Sequence, residues 1–118
     1  MDKVNLMLSS LRVLCFCFSF ILSLNVLANA PFEARPVNQI IIHDWGRILI
    51  YLNGGLTTKE PCERSNVIVL KKDNQFFDQM YSAVLAAYHG GGLIGGWVNG
   101  CDDRIKAPIL TRLDLLPK

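Results

Sequence analysis

Cys62 and Cys101 are the pair in this 118-residue chain whose type and spacing point most directly to chemistry. Two further cysteines, Cys15 and Cys17, lie in an apolar N-terminal run that reads as removed before the protein matures. Two remaining cysteines in an exported domain of under 100 residues favour one disulfide. It would close a loop of about 40 residues, for which chain entropy gives roughly 3–4 kcal/mol. A metal pair is the alternative, but Cys62 has no CxxC partner and His43 and His89 lack ligand spacing.

Other reactive types are present without an arrangement that uses them. Asp102-Asp103 beside Arg104 resembles a carboxylate pair, but in a polar loop next to a cysteine it reads as solvated surface. His43-Asp44 sits at a hairpin edge and reads as a turn feature. No Ser-His-Asp elbow occurs. Gly90-Gly91-Gly92 follows a helical run, where it caps the helix, and does not open one as a phosphate loop must. His89 near that helix end suits the dipole. No catalytic residue, metal site or cofactor is assigned, and an enzyme is not expected. An aromatic contact surface is the better candidate. Trp45 and Tyr51 could stack on sugar faces, and Asn53, Asn99 and Asp102 could bond hydroxyls. Trp97, mid-strand, reads first as core.

The elements that must position these residues follow from apolar periodicity. Gln39–His43 and Arg47–Leu52 are β-branched runs separated by Asp44-Trp45-Gly46, the chemistry of a three-residue hairpin loop, with Trp45 at the tip. Pro31–Asn38 reads as an extended lead-in and Asn53–Pro61 as a loop. Asn66–Leu70 is a short strand whose unbroken apolar run predicts cover on both faces. Phe76–Tyr88 is a helix, capped by Asp73 or Asn74 and closed by glycine. Leu93–Asn99 is a strand bent at Gly95-Gly96. Ile109–Leu115 alternates, with Ile109, Thr111, Leu113 and Leu115 on one face.

Ahead of these elements, Lys3 and Arg12 precede an apolar run that ends in Ala28-Asn29-Ala30. Residues 1–30 therefore read as a secretory signal peptide cut before Pro31, leaving residues 31–118 as a single domain. A membrane anchor is the alternative reading of that run. Of the chain's 12 Lys and Arg and 10 Asp and Glu, ten and nine fall after residue 30, a net charge of +1. That balance gives no electrostatic case for nucleic acid. Periplasm or extracellular space is the expected address, with no membrane insertion once the signal is cut.

The order β-β-β-α-β-β describes a mainly β domain with one helix, the element order of a small OB-fold-like barrel. An open five-stranded sheet with the helix packed on it is the alternative. Cys62, Asn66–Leu70, Phe77-x-x-Met80-Tyr81-Ser82, Leu85–Tyr88, Gly90, Trp97–Cys101, Pro108 and Leu113-x-Leu115 together resemble a group of short, mostly uncharacterised exported proteins of Gram-negative bacteria. In element order the domain is more distantly similar to the B subunits of subtilase-type and pertussis-like AB5 toxins. That resemblance implies an OB-fold, assembly as a homo-oligomer and binding of sialylated glycans. It carries no sugar-binding residue onto a numbered position of this chain. The expected function is a non-catalytic binding module for a glycan or a protein surface. The alternative is a periplasmic structural or inhibitor-like protein acting through protein–protein contacts.

Overall fold

A computed structural model describes residues 29–118. Five strands and one helix occur in the expected order: β1 (Ala30–His43), β2 (Arg47–Leu52), β3 (Ile68–Lys71), α1 (Phe77–Gly90), β4 (Leu93–Cys101) and β5 (Pro108–Leu116). The strands close into a ring in the order β1-β2-β3-β5-β4, with β1 pairing back onto β4. Most pairs are antiparallel, whereas β3 and β5 meet in parallel through Val69 and Ile109 alone. The signal-peptide reading of residues 1–30 lies outside the described residues except for Asn29 and Ala30. Ala30 is the first residue of β1, buried and paired with Val98.

β1 is where sequence and structure differ most. Its first half, expected to be a lead-in, is a strand paired with β4, while its second half pairs with β2. One strand can serve both neighbours because its register slips between Phe32 and Arg35 and again between Val37 and Gln39. Such slips bend a strand and let a sheet curl. The prolines argued against a strand locally, but ring closure gives this segment a partner that overrides propensity.

The apolar alternation of β2 and β3 feeds two cores. Ile48, Ile50 and Leu52 of β2 and Ile68 and Leu70 of β3 point into the barrel with Phe32, Ile94, Val98 and Leu110. The opposite faces, Leu49 and Val69, join Val67, Ile105 and Ala107 in a second cluster outside the barrel. The continuous run in β3 is thus covered on both sides, as its pattern predicts. α1 sets Phe77, Met80, Tyr81, Val84 and Ala87 against the inner core, leaving Phe76, Leu85 and Tyr88 exposed. Its start differs from expectation. The Asn74 side chain accepts the N–H of Phe76, one residue before the helix, so it fixes the entering turn and not the first helical turn. Gly91, at φ 74°, ends the helix in the left-handed conformation.

β5 departs from simple alternation. Val98 pairs with Leu110 and the neighbouring Trp97 with Arg112, so Thr111 is an extra residue on β5. The bulge turns both Leu110 and Leu113 toward the inner core, whereas unbroken alternation would have set them on opposite faces. Next along β4, Gly96, paired with Leu113, has φ 145° and lies so close to β5 that a Cβ there would fall on the carbonyl oxygen of Arg112.

Cys62 and Cys101 form a disulfide across a separation of 39 residues. It joins the Asn53–Val67 loop to the end of β4. Among the described residues, no helix is long and apolar enough to cross a membrane.

Two outcomes test this account. Gly96→Ala should cost about 2–4 kcal/mol, because strain and a backbone clash combine. Gly90→Ala, where a Cβ meets nothing within 4 Å, should leave the denaturant midpoint unchanged or slightly raised. Thiol titration of the unfolded, unreduced protein should find no reaction at Cys62 or Cys101. Replacing both with Ala should lower stability by roughly 3–4 kcal/mol.

Candidate functional site

The turn Asp44-Trp45-Gly46 joins β1 to β2 as expected, and Gly46 supplies the left-handed conformation at φ 71° that a three-residue hairpin needs. Three separate segments then hold this turn. Arg47, the first residue of β2, donates from Nη1 to the Trp45 carbonyl at 3.0 Å. The N–H of Lys72, in the turn after β3, donates to the Gly46 carbonyl at 2.9 Å. Arg104 sets its guanidinium over the Trp45 ring, 5.0 Å from the centroid, a cation–π contact. The His43 ring also stacks on Trp45, with centroids 4.7 Å apart and planes within 10°. Trp45 is nevertheless 48% exposed. A large apolar ring is thus half in water while two side chains pack on it.

Asp102 builds the other side of this arrangement. It is 1% exposed, against the expectation of a solvated loop residue. One carboxylate oxygen accepts from Arg47 Nε at 2.8 Å. The other accepts the N–H groups of Arg104, at 3.0 Å, and Ile105, at 2.8 Å. Its own backbone closes the loop, N–H to the Ala107 carbonyl and carbonyl to the Lys106 N–H. Lys106 takes a left-handed φ of 62° to complete the turn. The neighbouring Asp103 is exposed and takes Arg47 Nη2 at 2.9 Å.

The electrostatics follow from this geometry. Burial alone would push the Asp102 carboxyl up. The Ile105 N–H, the Arg47 guanidinium and the Arg104 N–H together outweigh burial and hold it below the usual carboxylate range. Arg47 is raised in turn, first by its hydrogen bond to Asp102. Asp102 is therefore an anion whose oxygens are committed to the protein. The geometry gives Asp102 a positioning role: it fixes Arg47, which holds the Trp45 carbonyl, and the loop carrying Arg104, which lies over the Trp45 ring.

Two clefts flank the hairpin tip. One, of about 480 Å³, lies between the tip and the turn after β3 and is lined by Trp45, Gly46, Arg47, Lys71, Lys72 and Asp73. The other, of about 290 Å³, runs toward α1 and includes Ile42, His43, Phe77 and Tyr81. Tyr51, Asn53, Asn99 and Asp102 line neither. Tyr51 packs against the outer core, and its hydroxyl accepts from Arg64 Nη2 at 2.9 Å. Asn53 follows the far end of β2, about 20 Å along the strand from Trp45, and Asn99 is exposed on β4. The five expected contacts thus do not form one site, and Trp45 alone lies at the clefts. Lys71, the last residue of β3, and Lys72, in the turn after it, join Arg47 as the cations of the larger cleft, and no motif singles them out. Among the described residues, no cluster of His, Cys, Asp or Glu could hold a metal ion.

Comparison of the chain with protein-family models, with characterised proteins and with solved structures found no match. Its site is therefore read from its own geometry.

Asp102→Ala should lower stability by roughly 2–4 kcal/mol, since it strands Arg47 and two backbone N–H groups. The pH dependence has a definite sign. A depressed folded pKa contributes stability that is fully present above the ordinary carboxylate range and is lost as pH falls through the lower folded value. Denaturant midpoints measured from neutral pH downward should fall steeply in that acidic window. Asp102→Asn should be less stable at neutral pH and show a shallower acid decline.

Proposed function

We propose that this chain is an exported, non-catalytic binding module that recognises a glycan with the Trp45 hairpin tip and the cleft beside it. The observation that carries the reading is an exposed indole on a turn whose backbone is held by Arg47 and Lys72 and whose ring is packed by Arg104 and His43. A fixed aromatic face gives contact area with little loss of side-chain entropy on binding. With His43 stacked on the ring and Arg104 over it, the indole offers its uncovered part to a sugar's C–H groups, and the cleft adds polar groups at its rim. Lys71 and Lys72 supply positive charge there, and Lys71 is 3.9 Å from Asp73. That balance suits a sugar bearing a carboxylate or another acidic group over a neutral one. Export is supported by the disulfide, which persists in oxidising compartments, and by the basic and apolar N-terminal sequence. The non-catalytic reading is supported by the commitment of Asp102 to structural hydrogen bonds and of His43 to the Trp45 ring.

A second reading, recognition of a protein surface, has its own observation. Ile42 is 65% exposed beside the smaller cleft, where Phe77 and Tyr81 continue an apolar wall. Such a wall suits a side chain from a partner protein better than a sugar.

A glycan array on the purified protein separates the two. Glycan binding that falls roughly 30-fold or more in Trp45→Ala, as for a central contact residue, with thermal stability kept, is the expected result. Lys72→Glu should weaken acidic glycans more than neutral ones. No binding to any glycan at high protein concentration would sink the glycan reading. Loss of a protein partner in Ile42→Asp but not in Trp45→Ala would favour the second.

A further inference from the structure

We propose that two copies of this chain associate through the free edge of β5, antiparallel and twofold symmetric about Leu113. This inference is independent of the binding role of the hairpin tip.

Topology leaves the edge free. β3 meets β5 at Val69 and Ile109, and β3 ends two residues later at Lys71, level with Thr111. The chain then turns away toward α1, whereas β5 continues to Leu116. Its other edge is fully engaged, with Leu93 to Trp97 of β4 pairing Leu116 to Arg112. Among the described residues, no turn, loop or helix supplies a backbone hydrogen bond to residues 111–116 on the open side. Alternate N–H and C=O groups of a strand end therefore face outward as a template for another strand. Protein edges are commonly blunted by lysine, proline or a covering segment. Arg112 to Leu116 carries neither a lysine nor a proline, and it exposes Leu115 at 58% and Leu116 at 41%.

The sequence of the edge selects the partner. In an antiparallel pair centred on Leu113, each Arg112 stands opposite the second copy's Asp114, and each Thr111 opposite its Leu115. Arg112 and Asp114 already lie on one face, 2.9 Å apart within the chain. Twofold pairing would set two such couples side by side with signs alternating around a square. Opposite charges directly across an antiparallel pair are favourable, and like charges are not. The same edge shifted by two residues, centred on Arg112 or on Asp114, would set two like charges face to face. Charge thus fixes both the partner, a second copy, and the register. Leu113 marks the twofold axis with its side chain turned to its own inner core, and the exposed Leu115 gains cover.

Sedimentation of the protein purified from expressing cells, disulfide oxidised, tests this. At about 100 μM, where a weak edge pairing is populated, a dimer is expected. Arg112→Glu sets Glu opposite Asp114 twice and should weaken dimerisation roughly tenfold or more. The exchange Arg112→Asp with Asp114→Arg should restore it, while circular dichroism melting stays near that of the parent. Register is read by crosslinking: Arg112→Cys mixed with Asp114→Cys should form a mixed disulfide faster than either variant does with itself, since in this register positions 112 and 114 share a face and stand directly opposite. A strict monomer at this concentration would overturn the proposal. A dimer indifferent to the charge reversal, or one whose crosslinks form equally between like variants, would do so as well.

Discussion

The hydrogen-bonded ion pair between Arg47 and Asp102 is the constraint on which the rest of the outer structure depends. A carboxylate taken fully out of water costs several kcal/mol unless each oxygen is answered. Asp102 meets that condition by drawing together a strand and a loop 55 residues apart in sequence, Arg47 from β2 and the N–H groups of its own turn. The pair is not best regarded as a source of net stability, since its Coulombic gain is largely offset by desolvation. Its effect is to specify one arrangement. Any other placement of the loop after β4 leaves a buried charge alone.

That specification lets β2 and β3 be buried on both faces in a domain too small for a third layer of regular structure. Ile105 and Ala107 ride on the loop that Asp102 fixes, and they cover Leu49, Val67 and Val69 from outside. The other irregular segment, Asn53 to Val67, is tied to the same loop twice, by the disulfide and by the Arg64 N–H on the Lys106 carbonyl. Two long loops gain little by packing separately, because each must offset its own ordering entropy. Cross-linked, they order as one unit, and the unit ends at Arg104 on the Trp45 ring. The rigidity of the hairpin tip is in this way inherited from a cluster that begins at Cys62.

The elements were legible in the sequence wherever local pattern and tertiary demand agreed. Asp44-Trp45-Gly46 forms the expected turn, β2 spans the expected residues, and the helix, the glycine cap and the disulfide stand where the residue types put them. Legibility failed where the deciding partner lay far away. Pro31 to Asn38 became strand because β4 needed a neighbour, which no local propensity records. The β5 alternation broke at Thr111, an extra residue facing the Trp97–Val98 step of β4, which the pattern of β5 alone does not record. Asp102 read as surface because two adjacent aspartates beside an arginine do look solvated. Its partner, Arg47, is the residue that a scan for charges within local reach cannot find. An Asp side chain that accepts the N–H groups two and three residues on closes a turn on itself, and such turns tolerate burial, but only the structure shows that Asp102 does so.

The hairpin end of the barrel consequently combines two unlike conditions. At the tip, two loops, a turn and a cross-link converge on the backbone and ring of Trp45. Beside it, β5 runs past the four residues of β3 toward the same end with one side unpaired. Recognition of a small rigid ligand gains from the first condition, since order established during folding need not be imposed during binding. Self-association through a strand edge gains from the second, since its main requirement is unpaired backbone with room beside it. The shortness of β3 connects the two. Its early end frees the chain to turn back under the hairpin, where the Lys72 N–H holds Gly46, and the same early end leaves β5 without a neighbour. A longer β3 would close the ring more completely, and it would remove the turn that supports Trp45.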